Sequence, residues 1–83
     1  MREATLENRL ICSPGDGLII APSAALPLSF TLELTKPMPL EILTLFDPTI
    51  SLSCDGALMN HNALERIKLQ TEKEKLTFTF DYI

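Results

Sequence analysis

Residues 26–34 read Leu-Pro-Leu-Ser-Phe-Thr-Leu-Glu-Leu, which puts Leu26, Leu28, Phe30, Leu32 and Leu34 on one parity and Ser29, Thr31 and Glu33 on the other. Successive side chains of an extended chain point to opposite faces, so this is a strand with one dry face and one wet face. Lys75 to Tyr82 repeats the device, with Leu76, Phe78, Phe80 and Tyr82 alternating against Thr77, Thr79 and Asp81. These two segments make the chain an all-β protein.

Prolines at 14, 22, 27, 37, 39 and 48 each fall at or beside the edge of an apolar run and punctuate the remaining strands. The first strand is expected from Ala4 to Cys12, closed by the turn-forming Ser13-Pro14-Gly15-Asp16-Gly17. Leu18-Ile19-Ile20 forms a brief apolar run, and the strand from Pro27 to Thr35 follows. Lys36-Pro37-Met38-Pro39 is stiff and cannot donate its full set of backbone hydrogen bonds, which predicts an exposed connection into a strand from Leu40 to Phe46. That strand changes phase, since Leu40 and Ile42 share one parity while Leu43 and Leu45 share the other. The change predicts a bulge or a strand covered on both faces.

Thr49 to Cys54 alternates cleanly again, and Asp55-Gly56 is a turn signal. Residues 57–63 read as a loop around Asn60-His61-Asn62, with a helical turn from Ala57 as the alternative. From Leu64 the pattern returns to strand, and Thr71-Glu72-Lys73-Glu74 is expected to turn a hairpin into Lys75 to Tyr82. About seven short strands in one domain spanning 1–83 predict a small antiparallel β-sandwich, immunoglobulin-like in architecture. A small closed β-barrel is the alternative. Tryptophan is absent, so the core Trp of immunoglobulin domains has no counterpart.

A chain of 83 residues has room for one core and little margin in it. Hydrophobic residues nevertheless make up 46% of the chain, high for a domain that must also cover its core, and this points to a buried partner surface. Seven basic against eleven acidic residues give a net charge of −4, which disfavours nucleic acid and anionic membranes as partners. Arg66, Lys68, Lys73 and Lys75 are interleaved with Glu65, Glu72 and Glu74, which reads as a solvated hairpin with a cancelled field. No apolar stretch is long enough to span a membrane, and Met1-Arg2-Glu3-Ala4 does not lead into a signal-peptide apolar region.

Cys12 shares parity with Leu6 and Leu10, and Cys54 with Ile50 and Leu52, so both thiols are expected to face the core. Two readings stand side by side: a Cys12–Cys54 disulfide worth roughly 4 kcal/mol by the chain-entropy model, or two buried free thiols. A disulfide implies a secreted, periplasmic or cell-surface protein, and free thiols a cytoplasmic one.

For chemistry, the chain offers one histidine, His61, and the only thiol–imidazole pairing close in sequence is Cys54 with His61. Cys54 points inward by parity, and a structural thiol beside a loop histidine is the expected reading. Asp47, Asp55 and His61 form a mixed oxygen and nitrogen set without the spacing of a metal site, and Asp16 between two glycines lacks the further carboxylates of a calcium loop. No nucleotide-binding loop and no Asn-x-Ser/Thr acceptor is present. The chain is therefore expected to be non-enzymatic and to bind no cofactor or metal.

Thr77-Phe78-Thr79-Phe80-Asp81-Tyr82-Ile83 resembles the closing strand of chaperone-usher pilus subunits, which ends in a Thr-Phe stretch with a penultimate tyrosine. The resemblance spans seven residues and implies a pilus- or surface-structure-related subunit. Upstream, Leu69 and Gln70 stand where that family carries a glycine. The residues themselves point to a non-catalytic interaction or structural module that binds a protein partner, or a second copy of itself, through a sheet face or edge strand. Leu43, Leu45, Leu58, Met59, Tyr82 and Ile83 are the expected interface, being apolar without an assured place in the core. A small acidic inhibitor or accessory protein of an enzyme or nucleic-acid-binding protein is the alternative.

Overall fold

A computed structural model describes residues 2–4, 9–21, 28–46, 49–59 and 64–82, with Ala4, Leu28, Leu64 and Tyr82 described by their backbone alone. Leu26, Asp47, His61 and Ile83 therefore lie outside the described residues. The expected loop at 57–63 is described only to Met59, and it begins as strand. Nine strands are described, and no helix: β1 (Arg2–Ala4), β2 (Arg9–Cys12), β3 (Leu18–Ile20), β4 (Leu28–Leu34), β5 (Met38–Leu45), β6 (Ile50–Cys54), β7 (Ala57–Leu58), β8 (Leu64–Thr71) and β9 (Lys75–Tyr82).

The strands form two sheets, ordered β1-β3-β5-β8 and β2-β4-β9-β6-β7. Both are mixed, which corrects the purely antiparallel expectation. β1 pairs with β3, β3 with β5 and β2 with β4 in parallel; every other pair is antiparallel. Neither sheet closes into a barrel. The physical origin is the connections. From β1 to β6 each one carries the chain from one sheet to the other; β3, β4 and β5 each return beside the strand two before and run the same way, while β6 takes its place beyond β9. The expected Ala4 to Cys12 strand is accordingly two strands in different sheets.

The alternation that marks each strand sorts its residues into the shared core. Phe30, Leu32 and Leu34 of β4, Leu52 of β6, and Leu76, Phe78 and Phe80 of β9 are buried from the second sheet. Leu18 and Ile20 of β3 and Met38, Leu40 and Ile42 of β5 are buried from the first, and all belong to one hydrophobic cluster. Four aromatic rings run through its middle. Phe30 stacks on Phe78 at 5.1 Å, Phe80 lies 6.0 Å from Phe30, and Phe46, just past β5, meets Phe80 edge-on at 5.6 Å. These offset and edge-on geometries suit the aromatic quadrupole, and the Phe46–Phe80 contact ties one sheet to the other.

The phase change expected in β5 is resolved by a threonine. Inward positions continue through Met38, Leu40 and Ile42 to Thr44, which is fully buried, while Leu43 and Leu45 turn outward. Burying a hydroxyl is costly unless it is bonded. Thr44 donates to the Glu65 carbonyl at 3.1 Å and accepts from the Glu65 N–H at 3.0 Å, on the strand residue it pairs with. Pro39 also lies within β5 rather than in the expected connection. It is tolerated because β3 pairs with β5 only from Ile42 onward, so Pro39 has a partner strand on one side alone among the described residues.

The expected β8–β9 hairpin is absent. β8 belongs to the first sheet and β9 to the second, and residues 72–74 bridge them, with the Thr71 hydroxyl accepting from the Lys73 N–H at 3.0 Å. The one tight hairpin among the described residues joins β6 to β7 at Asp55-Gly56, where φ is +50 and +88. Two consecutive positive φ angles define the type I′ turn favoured by right-twisted strands, and Asp-Gly is a preferred pair for it.

Phe78 is fully buried, stacks on Phe30 and sits opposite Phe30 and Cys54 in the two ladders of β9. Phe78→Ala is expected to destabilise the protein by about 3–5 kcal/mol, read as a lowered urea midpoint. A loss under about 1 kcal/mol would contradict the central place given to this ring.

Candidate functional site

Along one flank of the two sheets, the edges are unequal. The first sheet ends in β8, eight residues long, and the second ends in β7, only two. The shorter strand cannot cover the inner face of the longer one. Ile67 and Leu69, which point inward from β8, are only half-buried against the core, as are Cys54 and Met59 on the other side. A cleft of about 720 Å³ lies between them. Its walls include Leu58 and Met59 from the β6–β7 hairpin and Ile67 and Leu69 from β8, with Leu76 at its base.

Asp55 fixes one rim. Its backbone N–H donates to the Thr77 carbonyl at 2.8 Å, its Oδ1 accepts from the Thr77 N–H at 3.1 Å, and its Oδ2 accepts from Lys73 Nζ at 3.1 Å. One residue thus joins the hairpin to β9 and to the β8–β9 connection. The Thr77 N–H and the Lys73 ammonium hold the Asp55 carboxyl below its ordinary range.

On the outer surface of β8, parity separates charges that alternate in sequence. Arg66 and Lys68 stand outward and exposed, whereas Glu65 lies on the inward parity. Arg66 is held by Glu41 of β5 at 3.0 Å, and Lys68 has no ion-pair partner among the described residues. Interleaving along the chain places acid and base of β8 on opposite faces, and the outward charges are met from the neighbouring strand instead: Glu41, directly opposite Lys68 in the ladder, pairs with Arg66.

Both cysteines are free thiols, which corrects the disulfide alternative. β2 and β6 lie in the same sheet with β4 and β9 between them, so the two cysteines are separated by three strand spacings, roughly 14 Å at least. A disulfide needs Cα atoms within about 7 Å. Parity showed which way each thiol points but not how many strands lie between. Burial, and then the neighbouring Asp16, push the Cys12 thiol up. Burial, and then Asp55, push Cys54 to about 11, so at neutral pH it is a protonated thiol on the cleft wall.

The other expected residues fall in different places. Leu43 is half-buried and Leu45 is 44% exposed on the outer face of the first sheet, with Ile19 beside Leu43 in the ladder. Leu58, 52% exposed, and Met59 lie at the cleft. Tyr82 pairs with Ile50 at the end of β9, and its side chain lies outside the described residues, as does Ile83. The expected interface is thus divided between two surfaces. The signal that identifies the cleft, the difference in length between β7 and β8 on one flank, depends on sheet order and could not be read before pairing was known.

The carboxylate positions are similarly committed. Asp16 Oδ2 accepts from Arg2 Nε at 2.9 Å and from the Ser13 N–H at 3.3 Å, which holds its carboxyl below the ordinary range. A second cleft of about 490 Å³ borders Asp16 and Met38 but brings no unbonded buried polar atom to its wall. Among the described residues no group of three or more His, Cys, Asp or Glu side chains could hold a metal ion. Asp47 and His61 lie outside the described residues, so the Cys54–His61 pairing and the Asp47, Asp55 and His61 set have no described geometry. No described helix is long and apolar enough to cross a membrane. No known family model, curated protein or solved structure matches this chain.

Two measurements follow from this geometry. Asp55→Asn keeps a residue pair suited to the type I′ turn but removes the anion held by Thr77 and Lys73. A carboxyl depressed by folding contributes stability above its unfolded pKa of about 3.9 and loses it as pH falls through the folded value. With the side chain about a third exposed, the wild type should exceed the variant by no more than about 1 kcal/mol at pH 7, and the gap should close toward pH 2. A gap independent of pH would refute this account. For the thiols, two equivalents should titrate in denaturant without reductant. In the native state Cys54 should react about a hundredfold slower than in the unfolded chain at pH 8, and Cys12 not at all; fast native labelling of Cys54 would contradict its burial.

Proposed function

We propose that this chain is a β-sandwich interaction module, non-catalytic, that binds a protein partner through the open flank between β8 and the β6–β7 hairpin. The sandwich reading is supported by two sheets sharing one core, with Phe46 packing across to Phe80. It is immunoglobulin-like in its two-layer plan and size, whereas its parallel β1-β3-β5 and β2-β4 pairs are not the hairpin connections of immunoglobulin domains.

One observation carries the functional reading: an apolar cleft bordered by an eight-residue edge strand. Burying Leu58, Met59, Ile67 and Leu69 is favourable at about 25 cal/mol per Å² of apolar surface removed from water, and a second molecule could remove what β7 is too short to cover. Among the described residues no strand pairs with β8 on the side away from β5.

Selection of displayed random ten-residue peptides on the native protein tests this. Enriched peptides should protect Cys54 from maleimide and lose about tenfold or more in affinity for Leu58→Lys, which places a charge at the cleft without disturbing a buried residue. A selection that enriches nothing, or binders that leave the Cys54 rate unchanged, would overturn the reading.

A further inference from the structure

We infer that the outer face of the first sheet is an interface between two copies of this chain, related by a two-fold axis that runs along the strands. This surface is separate from the flank proposed above. The two outer faces of the molecule differ in character. On the second sheet the outward residues include Ser29, Thr31, Ser51, Ser53, Thr77 and Thr79, and Ile11 stands at the edge of that sheet beside Glu33. On the first sheet Ile19 is opposite Leu43 in the ladder, and Leu45 follows two residues along β5. Ile19 and Leu43 are half-buried and Leu45 is 44% exposed, so the apolar residues of this face are grouped. Single surface hydrophobes are ordinary, whereas grouped ones mark a surface that is covered by something.

The order of residues across the sheet identifies the occupant. Glu3 of β1, Ile19 of β3, Leu43 of β5 and Arg66 of β8 stand in one row. An acid ends the row on one edge strand, a cation ends it on the other, and two aliphatic side chains lie between. In a two-fold interface every contact between one residue and another occurs a second time with the roles exchanged. An axis along the strands, midway between β3 and β5, therefore lays Ile19 on Leu43 of the second copy and turns Glu3 toward Arg66 of the second copy, each contact made twice. An axis across the strands would set Glu3 against Glu3 and Arg66 against Arg66. Charge thus selects one of the two arrangements.

The neighbouring charges leave this complementarity in place. Glu41 holds Arg66 at 3.0 Å and lies opposite Lys68 in the ladder, but one carboxylate against two cations leaves the β8 side of the face with an excess positive charge. On the β1 side Arg2 and Asp16 neutralise each other at 2.9 Å, and the exposed Glu3 has no ion-pair partner among the described residues. A guanidinium carries several donors in a fork, so Arg66 meets a second carboxylate without leaving Glu41. Sheets packed face to face lie about 10 Å apart with their strands within about 30° of each other, which keeps the ends of the two rows within reach of these long side chains. Two of the four strands are only three residues long, so the face is small. It belongs at the low end of interface sizes, below about 1,200 Å² in total, where association is weak and reversible.

Sedimentation of the intact protein from about 1 to 300 μM tests the inference. A monomer–dimer equilibrium with a Kd of roughly 10–100 μM is expected. Leu45→Lys should abolish the dimer, and Leu58→Lys, which alters the cleft, should leave it unchanged. Glu3→Lys brings cations together at both ends of the row and Arg66→Glu brings carboxylates together there, so each variant alone should dimerise about tenfold more weakly. Mixed in equal amounts, the two variants restore opposite charges at both ends and should form a heterodimer of about wild-type affinity. A substitution that acted only within its own monomer would give no recovery on mixing. Because Arg66→Glu also sets a carboxylate beside Glu41, circular dichroism and urea midpoints should show both variants folded.

A protein that stays monomeric throughout this range would overturn the inference. So would a dimer that survives Leu45→Lys, a dimer lost with Leu58→Lys, or a mixture that associates no more tightly than its components.

Discussion

β9 is the strand on which both halves of the second sheet depend. It lies between β4 and β6, so one of its edges completes the ladder of the winding amino-terminal half while the other holds the β6–β7 hairpin. The inward parity of the same strand supplies Leu76, Phe78 and Phe80, and through Phe80 it meets Phe46 of the opposite sheet. Asp55 adds a further tie by bonding Thr77 through both backbone and side chain. Because these partners are distant in sequence, the β6–β7 hairpin can join β2 and β4 in one sheet only once β9 is in place. That requirement belongs to folds of high contact order, which fold slowly.

The winding of the first half explains why burial was legible in the sequence and pairing was not. A period of two reports which side chains of a strand share a face, and Phe30, Leu32, Leu34, Leu76, Phe78 and Phe80 are buried as that period requires. Periodicity says nothing about whether a turn returns the chain to the same sheet or carries it across to the other. Asp55-Gly56 has a local stereochemical signature, two positive φ angles, and it was readable as a turn. Residues 13–17, by their Pro and Gly, and 72–74, by their place between two strands, were also readable as turns yet connect different sheets. The misreadings of the first strand and of the β8–β9 hairpin share this cause, and so does the open choice between a Cys12–Cys54 bridge and free thiols: facing direction was encoded and proximity was not.

Thr44 and Pro39 are smaller instances of tertiary context deciding what local pattern could not. The apparent phase change in β5, which predicted a bulge or a strand covered on both faces, arises because Leu43 and Leu45 rather than Thr44 carry the apolar side chains. Thr44 is buried instead, since its hydroxyl is bonded twice by Glu65. Leu43 and Leu45 are then left on the outer face, where the parallel neighbour Ile19 gives them partial cover. Pro39 lies beyond the reach of β3, which pairs with β5 only from Ile42 onward among the described residues.

The same coupling of sheet order to side-chain parity produces the open flank. A long edge strand with an exposed inner face invites aggregation, and proteins commonly guard such edges with charged residues, lysine above all. Arg66 and Lys68 put two cations on the outer face of β8, one of them already paired with Glu41. Guarding by charge of one sign, however, excludes only strands of the same sign. A device that only kept the edge solitary would be as well served by a bulge, a proline or a shorter strand, each of which removes the template itself. β8 retains eight paired residues, with Ile67 and Leu69 half-buried beneath Arg66 and Lys68, so charge limits this edge without removing its template.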